Sequence, residues 1–143
     1  MTGEIKKLLS QHEGRIAHAY KDSLGYLTIG VGHLIDDRRG GKLPEHIIDA
    51  LLEWDIAEHK RELDTALPWA KDLSEVRYAV LLDMAFNMGV PRLLGFVRTL
   101  AMVKEGRYKE AAENMLLSLW ARQVKTRAVR LSRMMEEDTW PEL

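Results

Sequence analysis

The sequence predicts an α+β fold, mainly helical, with a small β-rich N-terminal lobe and an all-helical C-terminal lobe joined by a long helix. Three observations predict it. Residues 16–34 carry β-type side chains on both sides of the turn Asp22-Ser23-Leu24-Gly25. An apolar stripe at helical spacing then runs from Pro44 to Pro68. Beyond Pro91 the chain reads as helix throughout, broken at Gly106 and around Lys125. The 143 residues are expected to form one domain, with residues 12–58 as the β-rich lobe and interlobe helix, and residues 1–11 and 59–143 as the helical lobe.

Taken in order, Ile5, Leu8 and Leu9 recur at helical spacing and predict a short amphipathic helix over residues 3–11, ending near Glu13 and Gly14. Tyr20, Tyr26, Leu27, Thr28, Ile29 and Val31 flank the turn and predict a β-hairpin. Gly30 and Gly32 alternate with Ile29 and Val31, as in a strand bent at a corner. Residues 36–42, DDRRGGK, read as a polar loop. Pro44 is suited to a helix start, and Ile47, Ile48, Leu51, Leu52, Leu63, Ala66 and Leu67 carry the stripe until Pro68 stops it. Asp72 and Glu75 stand at capping-box spacing before Val76, Val80, Leu81, Met84 and Ala85, a core helix ending near Gly89. Residues 91–105, 109–123 and 126–136 give three more helices, and Trp140 is expected to dock the last residues.

Composition removes several functional classes. Lys plus Arg number 21 against 22 for Asp plus Glu, so net charge directs the chain neither to nucleic acid nor to an anionic membrane surface. There is no cysteine, and stability must come from packing rather than disulfides or thiolate zinc sites. No apolar run reaches membrane-spanning length. The first residues, MTGEIKKLLSQHEG, lack a signal-peptide core, so synthesis in a cytoplasm is expected.

The chemistry-bearing residues gather early. Glu13 closes a helix, Asp22 opens a hairpin turn and Thr28 returns on the second strand. Two carboxylates held apart across a cleft suit hydrolysis of a sugar-sugar bond, although two acids nine positions apart carry little meaning by spacing alone. The negative end of a helix dipole would push the pKa of Glu13 upward unless a cation compensates, as suits a general acid. The five histidines, at 12, 18, 33, 46 and 59, form no zinc-ligand spacing, so no metal is expected; His33 reads as an imidazole held by a carboxylate of the next helix. Arg122, Lys125, Arg127, Arg130 and Arg133 form a basic cluster whose default reading is a solvated face. The four tryptophans read as packing anchors and the methionines as core filling.

Several motifs, in order, resemble the phage-type lysozymes of glycoside hydrolase family 24, and among them the T-even type. They are EG at Glu13, YKDSLGYLTIGVGHL from Tyr20, WDIAE around Asp55, DMAFNMG from Asp83, GF at Gly95, EAAENM from Glu110, SLWARQ from Ser118, TRAVR from Thr126 and TW at Thr139. The resemblance implies a lysozyme-like fold and an endolysin-type muramidase cleaving the β-1,4 bond between N-acetylmuramic acid and N-acetylglucosamine. It implies Glu13 as general acid, Asp22 as the second carboxylate and Thr28 as a hydroxyl at the water site, with inversion. His33 and Asp55 match a buried ion pair, Leu34, Phe86, Thr99 and Asn114 match glycan contacts, and Arg127 matches an arginine near the acid. The implied partner is peptidoglycan in the periplasm, met by a monomer with no cofactor, no nucleic acid and no stable membrane association. Release would depend on a holin or on incorporation into a virion.

Two departures stand out. The segment between Ile35 and Glu53 is shorter than in the T-even members, and Asn87 stands where they have a longer amide. A non-catalytic glycan-binding module is the competing reading, and the presence of Glu13, Asp22 and Thr28 argues against it. A DNA-binding helical domain is disfavoured by the balanced charge.

Overall fold

The computed structural model describes residues 3–14 and 44–143 in full, and the backbone alone of Thr2 and of residues 16–21, 27–30 and 33–34. The chain clusters into two compact units, Met1–Glu58 with Leu143, and His59–Glu142.

The first unit begins with α1 (Thr2–Glu13), whose Ile5, Leu8 and Leu9 are fully buried. Gly14 ends it: at φ +78° this residue takes the left-handed conformation and donates its N–H to the Ser10 carbonyl at 2.9 Å. Three short strands follow, β1 (Ile16–Lys21), β2 (Leu27–Gly30) and β3 (His33–Leu34), paired antiparallel in that order. Tyr20 lies opposite Thr28, and Thr28 in turn opposite Leu34, with an irregular register between Ile16 and Tyr20. The hairpin turn at 22–26 and the loop at 36–42 fall outside the described residues. Next comes α2 (Glu45–Ala66), which begins in the first unit and ends in the second. Its buried Ile48, Leu52 and Ile56 repeat every four residues, and Glu53 pairs with Lys6 of α1 at 2.9 Å.

This corrects the expected fold class. Among the fully described residues 81% are helical and none lies in a strand. The β-rich N-terminal lobe is overturned, because strands of 6, 4 and 2 residues are outweighed by helices of 12 and 22. The β-type residues occur in runs too brief, and too often interrupted by glycine, to build more.

After a 3-10 turn at Pro68–Asp72, the second unit is organised on α3 (Glu75–Met88), buried at every position from Val76 to Ala85 except Arg77. A helix apolar on all sides belongs in the middle of a core. Its N-cap is Ser74, whose hydroxyl accepts the Arg77 N–H at 3.2 Å, rather than Asp72 as the capping-box spacing suggested. A serine directly before the first turn meets those amides without the intervening backbone. Gly89, at φ +86° and ψ 150°, ends α3 and starts α4 (Val90–Leu93), a conformation open essentially to glycine alone.

Two expected helices are each divided. Residues 91–105 give α4 and α5 (Val97–Lys104), separated at Gly95, where successive turns bond Gly95 to Arg92 and Phe96 to Leu93. Residues 109–123 give α6 (Tyr108–Leu116) and α7 (Leu119–Val124), because Ser118 caps a new helix by accepting the Ala121 N–H at 3.1 Å. The chain ends in α8 (Thr126–Glu137). Buried Met84, Met115, Met134 and Met135 fill the space where α3, α6 and α8 meet their neighbours.

Two polar clusters fix α8 against α3. Asp83, with no exposed surface, accepts a hydrogen bond from the Arg127 Nε at 2.9 Å, and Arg127 is itself 9% exposed. At the other end, Arg77 donates to the carbonyls of Met135 and Glu136, stacks 3.6 Å over the Tyr108 ring and faces Asp138, which also accepts from Ser74. Those last carbonyls of α8 lack partners within the helix, and a guanidinium satisfies them and complements the dipole. Asp138 itself is left-handed at φ 58° and turns the chain back.

Replacing Asp83 by Ala removes a fully buried carboxylate from the Arg127 guanidinium and is expected to cost about 3–5 kcal/mol. Urea unfolding checks this; an unchanged midpoint would remove the pair from the stability of the fold.

Tyr78 donates to Asp64 at 2.6 Å, and burial first, then Asp64, pushes its phenol above the ordinary value. An acid whose folded value is raised stabilises the fold below its unfolded value, near pH ~10, and loses that contribution as pH climbs further. Between about pH 9 and about pH 11 the wild type should therefore lose more stability than Tyr78→Phe, measured by urea midpoint. Parallel losses would contradict the assignment.

Candidate active site

The expected site residues divide between the two units. In the first, Glu13 is the last residue of α1 and half-buried, directly before the left-handed Gly14. Its place is set by the buried Ile5, Leu8 and Leu9, which seat α1, and by the left-handed glycine that ends the helix. Thr28 lies in the middle strand, with Tyr20 as its neighbour in β1 and Leu34 as its neighbour in β3. Two expected site residues, Thr28 and Leu34, are thus cross-strand partners. His33 is the partner of Ile29. Asp22 and the side chains of Thr28, His33 and Leu34 lie outside the described residues. Asp55 is half-buried on α2.

In the second unit, Thr99 and Asn114 are brought together by the packing of α5 on α6. Thr99, 3% exposed, donates its hydroxyl to the Asn114 Oδ1 at 2.6 Å. With the amide oxygen engaged, the Asn114 NH₂ is oriented as a donor, able to meet a carbonyl or hydroxyl of a ligand. Both residues line a cavity of about 340 Å³, together with Phe96, Val97, Arg98 and Leu117. Val97 and Leu117 are 70% and 77% exposed, so the rim is apolar as well as the wall. That combination of apolar lining and few convergent polar groups is the usual make-up of a small-molecule site.

Phe86 sits near the end of α3, half-buried, its ring 4.8 Å from that of His59 and tilted by 32°. The adjacent Asn87 accepts from the Trp120 Nε1 at 2.8 Å, and Trp120 meets Phe96 edge-on at 6.0 Å. The shorter amide therefore serves as an acceptor for a buried indole. Arg127 is the buried partner of Asp83, so this member of the basic cluster is no part of a solvated face. Trp54 is 66% exposed, against the expectation that the tryptophans anchor packing.

Sequence reasoning missed Asp83 as the group that holds Arg127. A signal was present: a lone carboxylate inside the apolar run AVLLDMAF cannot be buried without a cation. It also missed His59, whose contact with Phe86 joins residues too far apart for helical spacing to reveal. Among the described residues no three His, Asp or Glu are grouped to hold a metal ion, and no helix is long and apolar enough to cross a membrane.

Comparison with known proteins agrees with the motifs. The family model for phage lysozyme matches residues 10–135. Probable T4-type lysozyme 1 of Dictyostelium discoideum is 31% identical over 165 aligned residues, covering 97% of each chain. Probable T4-type lysozyme 2 of the same organism is 28% identical over 168, covering 99% of each. Peptidoglycan hydrolase gp36 of Pseudomonas phage phiKMV is 32% identical over 127 residues, 86% of this chain but 14% of that protein. A family match over residues 10–135, together with a relative 31% identical across 97% of both chains, leaves one assignment: the chain belongs to the phage lysozyme family and is a glycoside hydrolase of lysozyme type.

Proposed function

We propose that the chain is an endolysin-type muramidase that hydrolyses the β-1,4 bond between N-acetylmuramic acid and N-acetylglucosamine of peptidoglycan in the periplasm. The observation that carries the reading is Glu13 at the C-terminus of α1, inside the span matched by the phage lysozyme family. A carboxyl there is disposed to keep its proton and to deliver it to a leaving oxygen. A relative named for peptidoglycan hydrolysis supports the substrate.

In this mechanism Glu13 protonates the glycosidic oxygen as the bond breaks. Asp22, ionised, directs a water at the opposite face of the sugar, with the Thr28 hydroxyl helping to place it. The product has inverted configuration if the two carboxyls stand roughly 6.5–9.5 Å apart, the space one water needs. Asn114, its oxygen held by Thr99, donates to a glycan carbonyl or hydroxyl, and Phe86 and Leu34 offer apolar surface to the sugar rings. Asp55 orients His33, and Arg127 supports the acid. The whole chain acts as a single lysozyme domain and a monomer, without a cofactor.

Purified peptidoglycan incubated with wild type and with Glu13→Gln tests the acid. Removing a general acid should lower the rate of muropeptide release by about 100-fold or more while circular dichroism stays unchanged. Comparable release by both would exclude Glu13 as the acid. A folded wild type that releases none would exclude the muramidase.

Asn114→Ala should raise KM several-fold with little change in kcat, because the lost donor binds ground state and transition state alike. A fall in kcat at constant KM would instead place Asn114 at the reacting bond.

A further inference from the structure

Two interhelical turns of the second unit carry side chains that turns ordinarily avoid. Leu94-Gly95-Phe96-Val97 leads from α4 into α5, and Leu116-Leu117-Ser118-Leu119 leads from α6 into α7. Exposed turns are usually built from Gly, Pro, Asn, Asp and Ser, which suit the bent backbone and meet water. Here Leu117, Val97 and Leu119, in that order, are the most exposed large apolar side chains among the described residues, and Leu94 and Leu116 are exposed too. Because α5 packs against α6, and Val97 and Leu117 line one cavity, the two turns are neighbours. An exposed apolar cluster of this kind marks an interaction surface.

Charge around the turns is one-sided. Within four positions of these five aliphatic residues stand Arg92, Arg98 and Arg122, all exposed, against one acid, Glu113. None of the three arginines makes an ion pair among the described residues. The whole chain has a net charge of -1, so the excess of cations is local to this face.

We propose that the two turns dock the protein reversibly on an anionic lipid surface, the aliphatic side chains entering the headgroup boundary and the arginines meeting phosphates. Such a surface offers phosphate and, just beneath it, hydrocarbon, and so satisfies both kinds of side chain. A second copy joined symmetrically through the same face would set cations against cations, with one acid to offset three arginines on each side. A nucleic acid would engage the arginines, but its bases stack on aromatic rings and would leave the aliphatic groups in water.

The test is co-sedimentation of the full chain with vesicles of phosphatidylcholine alone and of phosphatidylcholine mixed with phosphatidylglycerol. Binding to the mixed vesicles is expected, falling as salt is added, with none to the neutral ones. Leu117→Asn combined with Leu119→Asn should weaken binding about tenfold or more by removing aliphatic surface. Arg98→Gln combined with Arg122→Gln should do the same, since each arginine near such a surface contributes about fivefold. All four positions are exposed, and circular dichroism checks that both variants fold. Absence of co-sedimentation, equal binding to neutral vesicles, or undiminished binding by either folded variant would overturn the proposal. A dimer in sedimentation equilibrium that the leucine variant abolishes would also overturn it, by assigning the face to a second copy. The vesicles hold no peptidoglycan, so the outcome is independent of the muramidase reading.

Discussion

The second unit depends on one constraint: a carboxylate with no exposed surface lies within its central helix. A carboxylate in the middle of α3 calls for a cation, and Arg127 supplies it to Asp83 from α8. The pairing contributes less through its own strength than through what its absence would cost, since the desolvation of both groups is already incurred when the helices pack. It therefore fixes which face of α8 meets α3. The amphipathic pattern of α8 agrees, with Leu131, Met134 and Met135 buried on the same side. Arg77 repeats the device at the far end of α8, where backbone carbonyls replace the carboxylate. An ionic tether at one end and a capped terminus at the other leave the helix a single register.

Local chain direction does comparable service in the first unit. Gly14 and the apolar residues of α1 place Glu13 at a helix end, where the peptide dipoles and the reversal of the chain act on the same carboxyl. Near the Thr99–Asn114 pair the principle is different: a buried hydroxyl holds an amide oxygen and so orients the amide's donors. One group is set by backbone geometry and the other by a neighbouring side chain. Both arrangements fix a polar group before any ligand arrives, which lowers the ordering cost of binding.

Much of this was legible in the sequence. Pro44 and Pro68 bracket α2, Gly14 marks the end of α1 and Gly89 the end of α3, because proline and glycine act on the backbone locally. The breaks at Gly95 and Ser118 were harder to read, since apolar residues continue on both sides and the pattern runs through them. The β content was overread: aromatic and β-branched residues favour strands, but pairing needs length, and glycine interrupts these runs. Of the site, Glu13 could be placed from local pattern and family motifs. The Asp83 partner of Arg127 could not, because the two are 44 residues apart and only tertiary packing joins them.

The buried methionines give the protein an unusual chemical record of its own breathing. With no cysteine present, the thioethers of Met84, Met115, Met134 and Met135 are the readily oxidised groups of the core, and each is at most 1% exposed. A peroxide in solution reaches them only when the helices part. Sulfoxide at these positions would then accumulate at a pace set by local opening, and each added oxygen would hinder reclosure by placing a polar group among apolar ones. Oxidative ageing of this fold should accordingly be slow to begin and self-accelerating once begun.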